Sequence, residues 1–336
     1  MPQTDADILV VGAGVIGLTT AICLAEAGLT VTVAAAEAPR QTTSMAAGAL
    51  WGPHLVGMDD RIGRWADITR DRLAELAAPS IGANALRGIV RTARGIAATA
   101  AATGAADMEP PEYAAAGTVT RCEPAEVPDG YAIAWRMSAP LIAMPGYLDY
   151  LASRLSRAGG ARVFAIKFGT LADARDFAPR ARVIVNCAGY GARDLVGDRE
   201  LVAVRGQAVV VRNPGLRDFF VGTGAAGWPL TYLFPHDDVV LLGGTEEVGR
   251  DSRVPDPATA ARIIEACATI RPQLRDAAVL DHRVGLRPVR PSVRLDAEQA
   301  ADGVTVVHSY GHGGSGVTLS WGCAEDATRL VLAVLG

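Results

Sequence analysis

The stretch that decides the fold is Ile8-Leu9-Val10-Val11-Gly12-Ala13-Gly14-Val15-Ile16-Gly17. Its four consecutive apolar residues, Ile8–Val11, predict a parallel strand that is buried on both faces. Gly12, Gly14 and Gly17 follow with the spacing G-x-G-x-x-G. Directly after a buried strand, this spacing is the fingerprint of a turn that holds a dinucleotide. A purely structural glycine turn is the alternative.

The residues after the turn support the dinucleotide interpretation. Apolar residues at helical spacing predict a helix over Gly17–Ala27 that ends at Gly28, and residues 29–35 predict a second strand. Glu37 follows that strand, about 20 residues beyond the turn, where an acidic side chain can accept a hydrogen bond from a ribose hydroxyl. The sequence therefore predicts a Rossmann-like βαβ unit, without separating NAD from FAD.

A second glycine-rich segment, Tyr310-Gly311-His312-Gly313-Gly314-Ser315-Gly316, lies near the other end of the chain. It connects a predicted strand, Val304–His308, to a predicted C-terminal helix. Dense glycines allow bare backbone amides to approach a ligand closely. Two such surfaces favour an elongated, buried FAD over an exchangeable NAD, although a tight interdomain turn is an alternative. His308 and His312 have no carboxylate or cysteine cluster to complete a metal site, so no metal is predicted.

The composition excludes several classes of protein. The chain has 336 residues, half of them hydrophobic, and a net charge of −4. This length allows one large domain or two interwoven ones, and the charge argues against nucleic acid as a partner. The five scattered cysteines favour a reducing compartment. With no signal-peptide pattern and no apolar run of membrane-spanning length, we expect a cytoplasmic protein with no membrane partner.

Hydrophobic periodicity places further elements along the chain. It predicts helices over Arg61–Leu76, Pro145–Ala158 and Pro257–Ile270, and an alanine-rich helix over Gly88–Ala102. Tyr232–Leu242 is interpreted as one strand, the glycine-rich segment Asn213–Thr231 as a lid, and Ala278–Leu295 as extended. The prediction is an α/β protein with a β-rich segment inserted into its nucleotide domain.

Several blocks in this order resemble the family of FAD-dependent D-amino acid oxidases, which includes D-aspartate oxidase. The resemblance runs nearly end to end. The blocks that carry it are Ala46-Ala47-Gly48, Val185-Asn186-Cys187-Ala188-Gly189, Tyr232-Leu233-Phe234-Pro235, Gly243-Gly244, Gly285-Leu286-Arg287-Pro288-Val289-Arg290-Pro291 and His308–Ala324. It implies a Rossmann-like FAD-binding domain built from residues 1–54, 141–195 and 281–336. A mixed-sheet α+β substrate-binding domain would comprise residues 55–140 and 196–280.

The same resemblance implies roles for individual residues. Arg287 would pair with the substrate carboxylate, Tyr232 would donate a hydrogen bond to that carboxylate, and the carbonyl of Gly314 would accept one from the substrate amine. Composition alone does not choose Arg287 over Arg283, Arg290 or Arg294. FAD, bound non-covalently, would be held by Gly12, Gly14, Val15, Ile16, Gly17, Glu37, Thr42, Thr43, Ser44, Ala47, Gly48, Val163, Gly189, Gly311, Gly313, Gly314, Ser315, Gly316 and Thr318.

The implied reaction is oxidative deamination of a D-amino acid to a 2-oxo acid, ammonia and H₂O₂. The α-hydrogen would pass as hydride to flavin N5, and O₂ would reoxidise the flavin. The alternatives are a D-aspartate oxidase, a glycine or sarcosine oxidase, a dehydrogenase, or a flavin-binding sensor without turnover. Relatives are often dimers, so a homodimer is allowed, but no interface is legible in the sequence.

The chain departs from its relatives at three places around the predicted pocket. Trp228 stands in the lid where vertebrate relatives have an active-site tyrosine, and we assign it to the catalytic site. Ser315 stands where another tyrosine is common. Glu246 and Glu247 follow Thr245 where mammalian D-aspartate oxidases have an arginine. Because a carboxylate facing the pocket would repel a second substrate carboxylate, we expect a preference for neutral D-amino acids.

Overall fold

The computed structural model describes residues 6–57, 60–78, 88–100, 119–225, 228–300 and 303–336. The helices are α1 (Val15–Glu26), α2 (Asp60–Ala77), α3 (Met144–Arg157), α4 (Leu171–Phe177), α5 (Ala192–Leu195), α6 (Pro257–Ile270) and α7 (Gly316–Leu335). The strands are β1 (Ile8–Val11), β2 (Val31–Ala35), β3 (Val90–Thr99), β4 (Thr120–Arg121), β5 (Ile133–Ile142), β6 (Ala161–Phe164), β7 (Val183–Asn186), β8 (Val202–Arg212), β9 (Phe219–Thr223), β10 (Leu230–Pro235), β11 (Val239–Gly243), β12 (Glu247–Val248), β13 (Val279–Gln299) and β14 (Thr305–His312).

One half of the sheet is parallel and carries the predicted βαβ unit. Its strand order is β14-β7-β1-β2-β6, and β1 pairs in parallel with β2 and β7. All four residues of β1 are buried, as a strand covered on both faces requires. Side chains of α1, α3 and α7 pack over this half, including the buried Leu18, Leu151 and Trp321. The Rossmann-like prediction is confirmed, and the predicted strand and helix bounds differ by only a few residues.

The other half of the sheet is mostly antiparallel. Its order is β4-β5-β3-β9-β10-β11-β8-β13, and the β3–β9 pair is parallel. Helix α6 covers one face through Ile263 and Cys267, which are fully buried. Strand β12 pairs separately with β8. The mixed sheet expected for the substrate-binding part of the chain is therefore present.

Strand β13 joins the two halves. Its first part pairs with β8, where Arg287 lies opposite Val204. Its second part pairs with β14, where Leu295 lies opposite Ser309. The register shifts between Val289 and Arg294, where the strand changes partners. Arg287 consequently lies just before the crossing point, next to both halves of the sheet.

Two predictions of local structure were wrong. The alanine-rich segment predicted as a helix over Gly88–Ala102 contains strand β3, because neighbours on both sides supply its backbone hydrogen bonds. Alanine has high helix propensity, but tertiary pairing overrides a weak local preference. The predicted single strand Tyr232–Leu242 is a hairpin of β10 and β11. The segment interpreted as a lid contains strand β9, and its role as a lid stays a prediction.

The domain bounds stay a prediction. One observation bears on where the first boundary lies: α2, which the prediction assigns to the substrate-binding part, packs on α7. A Cβ at Gly322 would lie 2.3 Å from the Trp65 Cα, and the Trp65 indole donates a hydrogen bond to Asp326 at 2.6 Å. Within the described part of the chain, no helix is both long enough and apolar enough to cross a membrane.

Candidate active site

A cavity of about 660 Å³ lies between the two halves of the sheet. Its walls come from the glycine turn after β1, the segment 42–54, strands β8, β10 and β13, and the glycine-rich segment before α7. The predicted residues that line it are Gly12, Gly14, Val15, Ile16, Glu37, Thr42, Thr43, Ser44, Ala47, Gly48, Gly189, Tyr232, Arg287, Gly313, Gly314, Gly316 and Thr318. The structure thus brings together segments from both ends of the chain.

The N-terminal turn needs its glycines for close backbone contacts. Gly12 has a φ of +111°, and a Cβ there would lie 2.4 Å from the carbonyl oxygen of Cys187. A Cβ at Gly17 would lie 1.9 Å from the carbonyl oxygen of Gly12. The amide of Val15 donates a hydrogen bond to the Ser44 Oγ at 2.9 Å. The start of α1 therefore faces the cavity with backbone rather than side chains, as an anionic pyrophosphate requires.

The C-terminal glycine segment packs tightly on residues 52–55, which the sequence analysis did not single out. A Cβ at Gly313 would lie 2.0 Å from the carbonyl oxygen of Leu55, and one at Gly314 would lie 2.5 Å from the His54 ring. The Ser315 hydroxyl bonds both backbone groups of His54, at 2.7 and 2.8 Å. Thr318 does the same for Gly52 at 3.2 and 3.0 Å. These contacts fix the wall in which Gly313 and Gly314 present their backbone.

Two buried polar atoms in the cavity wall have neither a hydrogen-bond partner nor an ion-pair partner among the residues described. They are the Ser309 Oγ and the His312 Nε2. Burial lowers the pKa of His312 to about 3, so its ring is neutral at physiological pH. Buried polar atoms normally find partners, and both face a glycine-lined cavity. These orphaned groups and the glycine-lined walls of the cavity fit a large polar cofactor such as FAD.

Arg287 occupies the end of this cavity formed by β8 and β13. A Cβ at Gly206 would lie 2.6 Å from each of its Cζ, Nη1 and Nη2 atoms, so the guanidinium lies flat over Gly206. Its Nη1 donates to the carbonyl oxygen of Thr245 at 2.8 Å. In the described part of the chain, no carboxylate forms an ion pair with Arg287 within 4.0 Å. A planar cation held in this way can bind a carboxylate through two parallel hydrogen bonds.

The other three arginines considered in the sequence analysis are placed differently. Arg290 pairs with Asp198 and Glu200, and Arg294 with Asp296 and Glu298. Arg283 has a carboxylate oxygen of Asp281 at 3.8 Å and does not line the cavity. The structure therefore distinguishes Arg287 where composition left the choice open.

Tyr232 lies in the same region as Arg287. Its ring stacks on Phe234 at 4.6 Å between centroids, and a Cβ at Gly243 would lie 2.3 Å from the hydroxyl. Burial raises the pKa of Tyr232, although the positive charge of Arg287 acts in the opposite direction. The phenol is thus protonated at neutral pH and can donate a hydrogen bond.

The two acidic residues after Thr245 have separate partners. The Glu246 carboxylate lies 3.0 Å from the Nε2 of His54, which lines the cavity. The hydrogen bond from His54 lowers the pKa of Glu246, and the Arg287 charge adds to this effect. Glu247 instead pairs with Arg205 and Arg250. Glu246 is therefore an ionised carboxylate close to the end of the cavity that Arg287 occupies.

Several predicted site residues do not line the cavity. Trp228 packs against the Arg262 guanidinium on α6, 4.6 Å from the ring centre, and its catalytic role stays a prediction. Ser315 is fully buried behind the wall rather than at a pocket rim. Gly311 packs against Arg290, and Gly17 against Gly12. Val163 lies on β6, and the residues just after this strand, Ile166, Lys167 and Phe168, line the cavity. The predicted contact of Val163 with adenine stays a prediction.

The fold and the site together define an oxidoreductase that holds a dinucleotide in a glycine-lined cavity. Residues 7–330 match the model of the family described as FAD dependent oxidoreductase. The chain is 42% identical over 332 residues to a D-amino-acid oxidase from Rubrobacter xylanophilus, covering 98% of this chain and 97% of the relative. It is 32% identical to the human D-aspartate oxidase, covering 97% and 94%. The chain belongs to the FAD dependent oxidoreductase family, and FAD is its cofactor.

Solved structures extend the similarity at the level of the fold. Glycine oxidase from Geobacillus kaustophilus superimposes with a TM-score of 0.80 at 19% identity, covering 98% of this chain and 95% of that one. L-proline dehydrogenase from P. horikoshii gives a TM-score of 0.75 at 14% identity, covering 99% and 94%. At these identities the similarity establishes the fold alone, so the substrate has to be argued from the cavity of this chain.

Proposed function

We propose that this enzyme is a D-amino acid oxidase that prefers substrates with neutral side chains. It would convert a D-amino acid, O₂ and water to a 2-oxo acid, ammonia and H₂O₂. The observation that carries this proposal is the Arg287 guanidinium, held flat over Gly206 at the cavity wall without a carboxylate partner in the part of the chain described. The D-amino-acid oxidase and D-aspartate oxidase relatives support an α-amino acid as the group that supplies this carboxylate.

The residues of the chain bind and orient the substrate. Arg287 would grip the α-carboxylate through its two parallel donors, and the Tyr232 hydroxyl would donate a further hydrogen bond. The backbone carbonyl of Gly314 would accept a hydrogen bond from the amine. With the carboxylate and the amine fixed, the two enantiomers differ in whether the α-hydrogen or the side chain points towards the bound FAD, and this third position is how the site would select one enantiomer.

FAD, when bound, supplies the redox chemistry: it accepts the α-hydrogen with two electrons, and O₂ then reoxidises it. The glycine turn after β1, Ser44 and the backbone of Gly313 and Gly314 would hold it non-covalently. Apolar wall residues such as Tyr232, Phe234 and Trp51 would exclude water from the reacting atoms. The protein therefore contributes orientation, a dry cavity and a carboxylate anchor rather than a nucleophile.

We expect purified, flavin-loaded protein to consume O₂ and form equimolar H₂O₂ with D-alanine, D-valine or D-methionine. A peroxide-coupled screen of D- and L-amino acids, glycine and sarcosine measures this directly. Oxidation of substrate with an artificial electron acceptor but not with O₂ would indicate a dehydrogenase instead. A flavin that no amino acid reduces under anaerobic conditions would indicate a sensor without turnover.

Glu246 is the residue that we propose disfavours acidic substrates. Its ionised carboxylate lies beside the cavity-lining His54, next in sequence to Thr245, which bonds Arg287. A second substrate carboxylate near it would be repelled. We therefore expect D-aspartate to have a lower kcat/KM than D-alanine.

Glu246→Gln should raise kcat/KM for D-aspartate relative to D-alanine by about three- to tenfold, because it removes a charge and keeps the shape. The measurement is the ratio of the two kcat/KM values in the wild type and the variant. Glu265→Gln, which breaks an exposed ion pair with Arg275, is the matched control and should not change that ratio. An unchanged ratio in Glu246→Gln would assign selectivity to other residues.

The location and assembly remain part of the proposal. All five cysteines are free, and four of them are buried, which supports a reducing compartment such as the cytoplasm. A homodimer, suggested by the resemblance to known oxidases, stays a prediction that analytical ultracentrifugation would test.

A further inference from the structure

One arginine reaches the cavity from outside the βαβ unit. Arg253 lies between β12 and α6, yet its guanidinium forms an ion pair with Glu37, 216 residues earlier in the chain. The same guanidinium donates to the carbonyl oxygen of Gln41. Both Arg253 and Glu37 line the cavity. The segment that carries Arg253, residues 249–256, is called the strap below.

The strap is held in place by the fully buried Arg205 of β8. Arg205 donates to the carbonyl oxygens of Ser252 at 2.9 Å and Val254 at 2.8 Å, the two residues that flank Arg253. Gln207 exchanges two hydrogen bonds with the backbone of Asp256, at 2.8 and 2.9 Å. Because both neighbours of Arg253 are fixed, its side chain is directed across the cavity towards Glu37.

This contact has a consequence for the cofactor. Glu37 follows β2 at the position where a carboxylate accepts a ribose hydroxyl of a dinucleotide. Arg253 contacts Oε1, and among the described residues no hydrogen bond occupies Oε2, which is left for the ribose. An uncompensated carboxylate would also repel the anionic pyrophosphate, and the Arg253 cation offsets that charge.

We propose that Arg253 is a cofactor-binding residue that orients and neutralises Glu37, so that the strap closes the adenosine end of the cavity. Release of FAD then requires the Arg253–Glu37 ion pair to open. The proposal concerns FAD alone, and it stands whichever amino acid proves to be the substrate.

The test measures FAD binding rather than turnover. In Arg253→Ala we expect the Kd for FAD to rise about tenfold, mostly because FAD dissociates faster. The dissociation rate is measured from the recovery of flavin fluorescence after the loaded protein is diluted. Arg253→Lys keeps the charge and should recover part of the affinity. Arg275→Ala, which breaks an exposed ion pair on the same part of the chain, is the matched control and should leave the Kd unchanged.

Two further measurements separate this role from a structural one. The Arg253 and Glu37 side chains are 37% and 42% exposed, so Arg253→Ala should not move the unfolding midpoint of the FAD-free protein. In a Glu37→Gln background, Arg253→Ala should weaken FAD binding much less than in the wild type. The proposal would be overturned if FAD dissociated from Arg253→Ala at the wild-type rate. It would also be overturned if Arg253→Ala weakened FAD binding equally in the wild type and in the Glu37→Gln variant.

Discussion

Arg287→Ala should leave FAD bound and reduce kcat/KM for the best D-amino acid by about two to four orders of magnitude, a cost of about 3–5 kcal/mol. The reason is that the variant leaves the substrate carboxylate in the cavity without its cationic partner. Arg287→Lys should recover little, because an ammonium cannot form two parallel bonds to a carboxylate. Steady-state kinetics with O₂ consumption, together with the flavin content of the purified variant, measure both effects.

Arg283→Ala is the informative comparison for that experiment. Arg283 lies on the same strand, is largely buried and has an Nε without a hydrogen-bond partner in the described structure, but it does not line the cavity. We expect kcat/KM to fall far less in Arg283→Ala than in Arg287→Ala. A near-normal KM in Arg287→Ala combined with a large loss in Arg283→Ala would reassign the carboxylate anchor to Arg283.

Gly17→Ala should nearly abolish FAD binding. The added Cβ would lie 1.9 Å from the carbonyl oxygen of Gly12, and this neighbour is backbone that can move only by deforming the turn. Such overpacking costs about 3 kcal/mol or more, which corresponds to a hundredfold or greater loss of affinity if the turn yields. The flavin absorbance of the purified protein and the FAD Kd of its FAD-free form measure the effect.

Gly63→Ala provides the matched control, because Gly63 is also helical and a Cβ there meets no atom within 4 Å. It should bind FAD normally and be stabilised by up to about 1 kcal/mol, since alanine is the better helix former. Normal flavin content in Gly17→Ala would show that the turn is not under the steric constraint that its geometry indicates.

Predictions from the sequence succeeded where neighbours in the chain determine the structure. The βαβ unit was predicted because a buried strand, a glycine turn and a helix follow one another within residues 8–26. The same reasoning failed for β3, whose alanines favour a helix locally. Its hydrogen bonds are satisfied by β5 and β9, which lie far along the chain. The Trp228 ring packs on Arg262, and its assignment to the active site stays a prediction.

The candidate site shows the same difference between features set by local sequence and features set by distant contacts. The sequence alone was enough to predict the dinucleotide turn, a cofactor role for Glu37 and the glycine-rich segment before α7, because glycine spacing and a carboxylate after the second strand are local requirements of cofactor binding. Only the tertiary structure distinguished Arg287 from three other arginines, by placing Gly206 beneath its guanidinium and leaving it unpaired within the described part of the chain. It also joined Ser315 to His54 across 261 positions and Arg253 to Glu37 across 216. Such contacts depend on how distant strands pair, and no local pattern of residues encodes that pairing.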